Sequence, residues 1–180
     1  MALPGTLTPA QLQRIRILIL DVDGVLSDGR IIYSASGEEL KCFDCTDGSG
    51  ITYWRRAGHK VAIVTGRSCA AVDIRARELE IDMVLQGQKY KEPAVAEVLA
   101  RFHATPGEAA YVGDDLIDIP AMRAAGCGIA VANATPETRE YANAVTDKPG
   151  GRGAVREVIE YILKAQGRWA GILERYLPKS

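Results

Sequence analysis

Six short apolar runs punctuate the 180-residue chain: Ile15 to Leu20, Val61 to Val64, Met83 to Leu85, Ala109 to Val112, Gly128 to Val131 and Ala144 to Thr146. Each has strand length, and stretches of helical pattern separate them, roughly Gly48 to Ala57, Ala70 to Leu79, Lys91 to Phe102, Ile119 to Ala125, Pro136 to Tyr141 and Ala154 to Ala165. Strands joined through helices run parallel, and apolar strands of this kind are covered on both faces. The alternation therefore predicts an α/β fold, a doubly wound parallel sheet flanked by helices. At 47% hydrophobic the chain can bury a core as one domain over residues 1–180, with the body of the fold at about 15–166. No repeat, low-complexity stretch or linker suggests a second domain.

Chemistry-bearing residues cluster where those runs end. Asp21-Val-Asp23-Gly24 follows the first run directly, at the carboxyl end of a strand, where open α/β sheets bind their ligands. Two acids so close repel unless a cation sits between them, and a hard divalent ion such as Mg²⁺ suits carboxylates, water and phosphate oxygens. The fourth run ends in Gly113-Asp114-Asp115-Leu-Ile-Asp118, a second acidic cluster. Between them Val64 leads into Thr65-Gly66-Arg67, which offers a hydroxyl, a backbone amide and a guanidinium, all groups that bind phosphate. Lys91 opens a helical stretch and adds a point charge to the partial positive charge of the helix start. Taken singly, each piece also reads as an ordinary turn, helix cap or solvated lysine. Their order, acid pair, Thr, Lys, acid cluster, favours a single phosphate-handling site.

That order resembles the haloacid dehalogenase superfamily of aspartate-nucleophile phosphatases. Asp21-Val-Asp-Gly-Val-Leu-Ser-Asp-Gly29, Gly37-Glu-Glu-Leu-Lys41, Asp47-Gly-x-Gly-Ile51, Gln86-Gly-Gln88, Tyr111-Val-Gly-Asp-Asp-Leu-Ile-Asp118 and Gly150-Gly-Arg-Gly-Ala-Val-Arg-Glu157 are similar to one branch, the 3-deoxy-D-manno-octulosonate 8-phosphate phosphatases. The resemblance runs from about Ile15 to Gln166. It implies Asp21 as nucleophile forming an aspartyl-phosphate, and Asp23 as general acid and then base. It also implies Mg²⁺ on Asp21, the Asp23 main-chain carbonyl and Asp114, with Thr65, the Gly66 amide and Lys91 on the phosphoryl oxygens. Asp115 and Asp118 would then orient waters and Lys91 from behind.

Many members of this superfamily carry a cap domain, inserted before or after the position of Thr65. Neither the interval from Gly24 to Val64 nor that from Gly66 to Tyr90 has room for one. The first instead reads as a β-hairpin flap at about residues 29–43, turning at Ser36-Gly37. The resemblance implies a homotetramer in which the flap of one subunit covers the site of its neighbour. The alternative is a monomer with an open site for bulky substrates. The tail from Gly167 carries Trp169, Ile172, Leu173, Tyr176 and Leu177 at helical spacing and reads as an amphipathic helix packed on the domain or on a neighbour.

The substrate expected on this resemblance is a small sugar phosphate. Arg67, Arg75 and Arg152 are candidate clamps for its anionic groups, because a guanidinium grips carboxylate or phosphate in bidentate fashion. Asp47 and Gly48 fall in the family's substrate loop. Thr46 and Thr52 stand where the octulosonate phosphatases usually carry basic residues, which keeps a nine-carbon keto-sugar acid 9-phosphate or another small phosphate open.

Other classes fit less well. A response-regulator receiver also uses acids, Thr and Lys on a doubly wound sheet, but needs a separate phosphoacceptor Asp on a third strand. A catalytically silent tetrameric assembly domain, like the phosphatase-like portion of some sialic acid cytidylyltransferases, tends to lose catalytic acids that are all present here. Cys42 and Cys45 have zinc-like spacing, but neither Cys69, Cys127, His59 nor His103 completes a second close pair, so reduced thiols in a cytoplasmic protein are the expectation. With a formal net charge of −1, dispersed basic residues, no export signal and no long apolar segment, neither nucleic acid nor a membrane is an expected partner.

Overall fold

The computed structural model of the protein describes residues 5–177. The chain opens with α1 (Pro9–Arg14) and enters β1 (Ile17–Leu20), followed by the hairpin strands β2 (Ile32–Tyr33) and β3 (Glu39–Leu40). After α2 (Cys45–Arg56), strands and helices alternate: β4 (Lys60–Val64), α3 (Ala70–Glu78), β5 (Met83–Leu85), α4 (Lys91–Arg101), β6 (Ala109–Gly113), α5 (Ile119–Ala125), β7 (Gly128–Ala130), α6 (Pro136–Tyr141), β8 (Ala144–Val145), α7 (Ala154–Ala165) and α8 (Trp169–Leu173). The main sheet has six strands in the order β5-β4-β1-β6-β7-β8, every pair parallel, as the alternation predicts.

The strand order fixes where a ligand can bind. From β1 the chain builds outward through β4 and β5 on one side, then returns to the other side for β6, β7 and β8. Crossovers diverge at such a switch point and leave a crevice at the strand carboxyl ends. Leu20 of β1 is level with Val112 of β6, so the residues that follow, Asp21 and the Gly113-Asp114 pair, meet across that crevice. The flanking strands are apolar and wholly buried from Ile17 to Leu20 and from Ala109 to Val112, which anchors the acidic loops to the core of the molecule.

Boundaries differ from the sequence expectation where caps decide them. Thr8 and Gln11 form a reciprocal capping box, Thr8 N donating to Gln11 Oε1 at 2.9 Å, and this starts the unforeseen helix α1. Because Ile15 caps that helix, β1 begins only at Ile17. Asp44 accepts the Thr46 and Asp47 amides at 2.5 and 3.3 Å, so α2 starts at Cys45, ahead of the expected Gly48.

The tail is shorter in helix than its spacing suggests: α8 ends at Leu173 and the chain continues in turns to Leu177. Arg168 donates to the Ala57 carbonyl at 2.8 Å, Tyr53 lies edge-on to both Trp169 and Tyr176, and Ile172 is buried. The tail thus covers its own α2 and α7. The end of the expected tail helix, from Pro178, lies outside the described residues.

Candidate active site

The site is assembled from close approaches of loops that only glycine permits. Gly24 has φ +85°, and a Cβ there would sit 2.0 Å from Asp114 Oδ2. On its other side Gly150 packs so tightly that a Cβ would come within 1.6 Å of the Gly24 carbonyl oxygen. The neighbouring Gly151 amide donates to the Val25 carbonyl at 2.8 Å, and Asn133 Oδ1 accepts the Gly150 amide at 2.7 Å. The Gly150-Gly151 segment therefore presses the Asp21-Asp23 loop against the Asp114 loop.

Behind the loops stands Asp118, fully buried. Its Oδ1 accepts from Lys91 Nζ at 2.6 Å and from the Tyr111 hydroxyl at 2.8 Å; its Oδ2 accepts the Asp114 and Asp115 amides at 2.9 and 3.1 Å. Lys91 Nζ reaches on to Asp21 Oδ2 at 2.9 Å. One carboxylate thus sets the backbone of Asp114 and aims the ammonium at Asp21. Asp115, more exposed, caps the turn after β6 by accepting the Leu116 amide at 2.7 Å.

Asp21, Asp114 and Asp118 each offer an oxygen within 4.8 Å of the others. The four donors on Asp118 occupy it from behind. Among the described residues, Asp21 Oδ1 is buried without any hydrogen-bond donor, and Asp114 is half buried beside it. Burial, reinforced by the charge of Asp118, raises the Asp21 carboxyl to about 6 and the Asp114 carboxyl to about 7. Burial alone would depress Lys91, but Asp21 and Asp118 outweigh it and raise its pKa. Acids that resist ionisation together, with an orphaned buried oxygen between them, fit a divalent cation.

Asp21, Asp23, Thr65, Gly66, Arg67, Lys91, Asp114 and Asp115 line one pocket of about 260 Å³. Thr65 is held in place by its own backbone, its amide donating to Leu85 at 3.0 Å and its carbonyl accepting Gln88 N at 2.9 Å. Arg67 is exposed, with Nη2 at 2.7 Å from Glu39 Oε2 and Nε at 3.8 Å from Asp23 Oδ2. Asp47, Gly48, Arg75 and Arg152, expected at the substrate, do not line this pocket. Asp47 accepts the Gly153 and Arg156 amides at 3.1 and 2.8 Å and so caps the start of α7. Gly48 makes room for the Arg75 guanidinium, whose Nη2 donates to the Asp44 carbonyl at 3.3 Å. Arg152 lies exposed in a separate hollow with Asp28, Cys42 and Asp44.

Three side chains at the site stand in the quoted motifs but were given no role from sequence. Tyr111 hides in an apolar run, where its hydroxyl was the visible signal. Glu39 and Lys41 alternate around Leu40, a period of two that puts both on one face of the hairpin, beside Arg67 and Asp23.

Residues 83–159 match the haloacid dehalogenase-like hydrolase family. The 3-deoxy-D-manno-octulosonate 8-phosphate phosphatase KdsC of Escherichia coli strain K12 is 48% identical over 159 residues, 88% of this chain and 85% of that protein. The chain belongs to this phosphatase family. Among solved structures, the family member from Moraxella catarrhalis, in complex with magnesium ion, phosphate ion and KDO, superposes with a TM-score of 0.91 at 43% identity, covering 94% of this chain and 97% of that one. The cobalt-bound octulosonate 8-phosphate phosphatase of Haemophilus influenzae superposes with a TM-score of 0.85 at 38% identity, covering 87% and 92%. No helix of the described residues is long and apolar enough to cross a membrane.

Proposed function

We propose that this protein hydrolyses 3-deoxy-D-manno-octulosonate 8-phosphate to the free sugar acid and inorganic phosphate, through an aspartyl-phosphate on Asp21 and with Mg²⁺ as cofactor. The observation that carries the reading is the convergence of Asp21, Asp114 and Lys91 on one pocket, all aligned from behind by Asp118. The close likeness to a phosphatase crystallised with magnesium, phosphate and KDO supports the metal and the substrate.

In this reading Asp21, the Asp23 main-chain carbonyl and Asp114 hold Mg²⁺, which when bound neutralises charge on the nucleophile and the phosphate. Without neutralisation two unit charges 4 Å apart cost about 4 kcal/mol at an effective dielectric near 20. Lys91, Thr65 and the Gly66 amide bind phosphoryl oxygens and steady the charge that spreads over them during transfer. Asp21 attacks phosphorus; Asp23 gives its proton to the departing sugar oxygen and recovers one from the water that frees phosphate. Asp115 and Asp118 support the site without touching substrate.

A pocket of about 260 Å³ seats a phosphate more readily than a whole eight-carbon acid, since sites for small molecules commonly exceed about 300 Å³. The hairpin exposes Ile31, Ile32, Tyr33 and Leu40, an apolar surface suited to burial against another subunit. We take the active form as a homotetramer in which each hairpin closes a neighbour's pocket. In that arrangement Arg75 and Arg152 are available to the sugar end of a substrate held between subunits, while Asp47 and Gly48, buried in the first turn of α2, support them from behind.

Purified protein is expected to release phosphate from octulosonate 8-phosphate with Mg²⁺ and to stop on addition of a chelator. Activity that survives thorough chelation would overturn the metal assignment, and no release under any metal condition would leave a silent assembly domain.

A further inference from the structure

Among the described residues, Lys41 is a cation buried at the junction of hairpin and pocket: its side chain is 1% exposed, although it immediately follows the exposed Leu40. Its ammonium hydrogen-bonds Asp23 Oδ1 and lies 2.8 Å from Glu39 Oε1. Glu39 in turn is gripped by Arg67 at 2.7 Å, so the hairpin base is tied to the strand end that carries Thr65. Asp23 is thereby divided. Oδ1 is taken by Lys41, with the Ser27 hydroxyl at 3.4 Å, while Oδ2 is buried without a hydrogen-bond donor in the wall of the pocket.

We propose that Lys41 is a positioning residue for the hydrolysis: by holding Asp23 Oδ1 it fixes the carboxyl so that Oδ2 alone exchanges the proton with the substrate oxygen, and it makes that transfer depend on the hairpin being seated. This rests on the phosphatase reading above and adds to it a part for the hairpin of the same subunit. In the step concerned, Asp21 forms its bond to phosphorus as the ester P–O bond breaks; the bonding pair stays on the sugar oxygen, which takes the proton from Asp23 Oδ2. An acid left to rotate delivers that proton poorly, and correctly placed acid catalysis is worth about 10²- to 10⁴-fold.

The leaving group separates this role from a merely structural one. A sugar alkoxide needs the proton, whereas 4-nitrophenolate departs without it. Lys41→Met, Lys41→Arg and wild type are compared on octulosonate 8-phosphate and on 4-nitrophenyl phosphate with saturating Mg²⁺, with melting temperatures as a check on folding. Lys41→Met is expected to lose about 100-fold in kcat/KM on the sugar phosphate, the constant that reports only the steps up to aspartyl-phosphate formation, but less than about fivefold on the nitrophenyl ester, while Lys41→Arg recovers at least about tenfold of the loss. Equal losses of kcat/KM on the two esters would overturn the proposal. Should wild type itself hydrolyse neither ester, the phosphatase reading fails and this inference falls with it. Should Lys41→Met be too unstable to assay, the Lys41→Arg to wild-type ratio on the two esters decides alone: an equal ratio overturns the inference and a larger loss on the sugar phosphate supports it.

Discussion

Each carboxylate oxygen of Asp118 has two donors, whereas the hairpin, with strands of two residues, presents Ile31, Ile32, Tyr33 and Leu40 to solvent. The first region is complete within one chain. It sits on wholly buried strands, its loops are locked by glycine contacts, and its charges are countered from behind by Lys91. The second is left open to solvent within the subunit. The difference separates two tasks: phosphoryl transfer needs groups held to within about 0.5 Å, which a rigid sheet edge supplies, while substrate choice can be delegated to an assembled rim. Lys41 stands where the two regions meet.

The largest effect should come from the complete region. Asp21→Asn removes the nucleophile while keeping its volume, and kcat is expected to fall on the order of 10⁴-fold with the melting temperature unchanged or raised, since a buried anion is lost. A fall below tenfold would show that another group attacks phosphorus. Asp118→Asn comes next. An amide can accept on one side only, so either Lys91 and Tyr111 or the Asp114 and Asp115 amides lose their acceptor, and metal affinity with activity should drop about 10- to 100-fold in Mg²⁺ titrations.

The hairpin should respond differently. Ile32→Ser combined with Leu40→Ser is expected to lower the mass in solution and raise KM about tenfold with little change in melting temperature, because both side chains are exposed within the subunit. Mixing that variant with inactive Asp21→Asn protein should restore activity if flaps cover neighbouring pockets. No complementation, with unchanged mass, would return the hairpin to its own subunit.

The smallest effect concerns pH. Because Asp21 and Asp114 titrate above ordinary carboxylates in the folded metal-free protein, the folded state binds more protons than the unfolded one between about pH 4 and 7. Metal-free stability should therefore fall as pH rises through that window, by a few degrees in melting temperature, and Mg²⁺ should restore it most at the upper end. A flat profile without metal would mean that burial and the charge of Asp118 do not raise the two acids.

Much of this was legible in the sequence, and for a reason that separates the same two regions. The sheet could be read because apolar strand-length runs alternate with helical stretches; the acid pair, Thr65 and the Asp114 cluster could be placed because each follows a run that ends in the crevice, and Lys91 because it opens a helical stretch. Cap-determined boundaries were missed at Thr8 and Asp44, where one side-chain hydrogen bond outweighs the hydrophobic period. Asp47 and Arg75 read as substrate groups, yet within the chain they hold backbone, an outcome that depends on which distant amides or carbonyls lie nearby. Lys41, named only as the end of a motif, was given no role for the opposite reason, since a lysine next to an exposed residue is ordinarily solvated and only the folded hairpin turns it inward.

The most direct test is steady-state hydrolysis, with Mg²⁺, of octulosonate 8-phosphate against nine-carbon keto-sugar acid 9-phosphates and hexose phosphates. The account predicts a kcat/KM for the octulosonate ester about 100-fold or more above the others, a difference of about 2.7 kcal/mol in transition-state binding, despite threonine at positions 46 and 52. Equal or higher kcat/KM on another ester would contradict it, leaving the catalytic centre between β1 and β6 intact and assigning the rim to a different sugar.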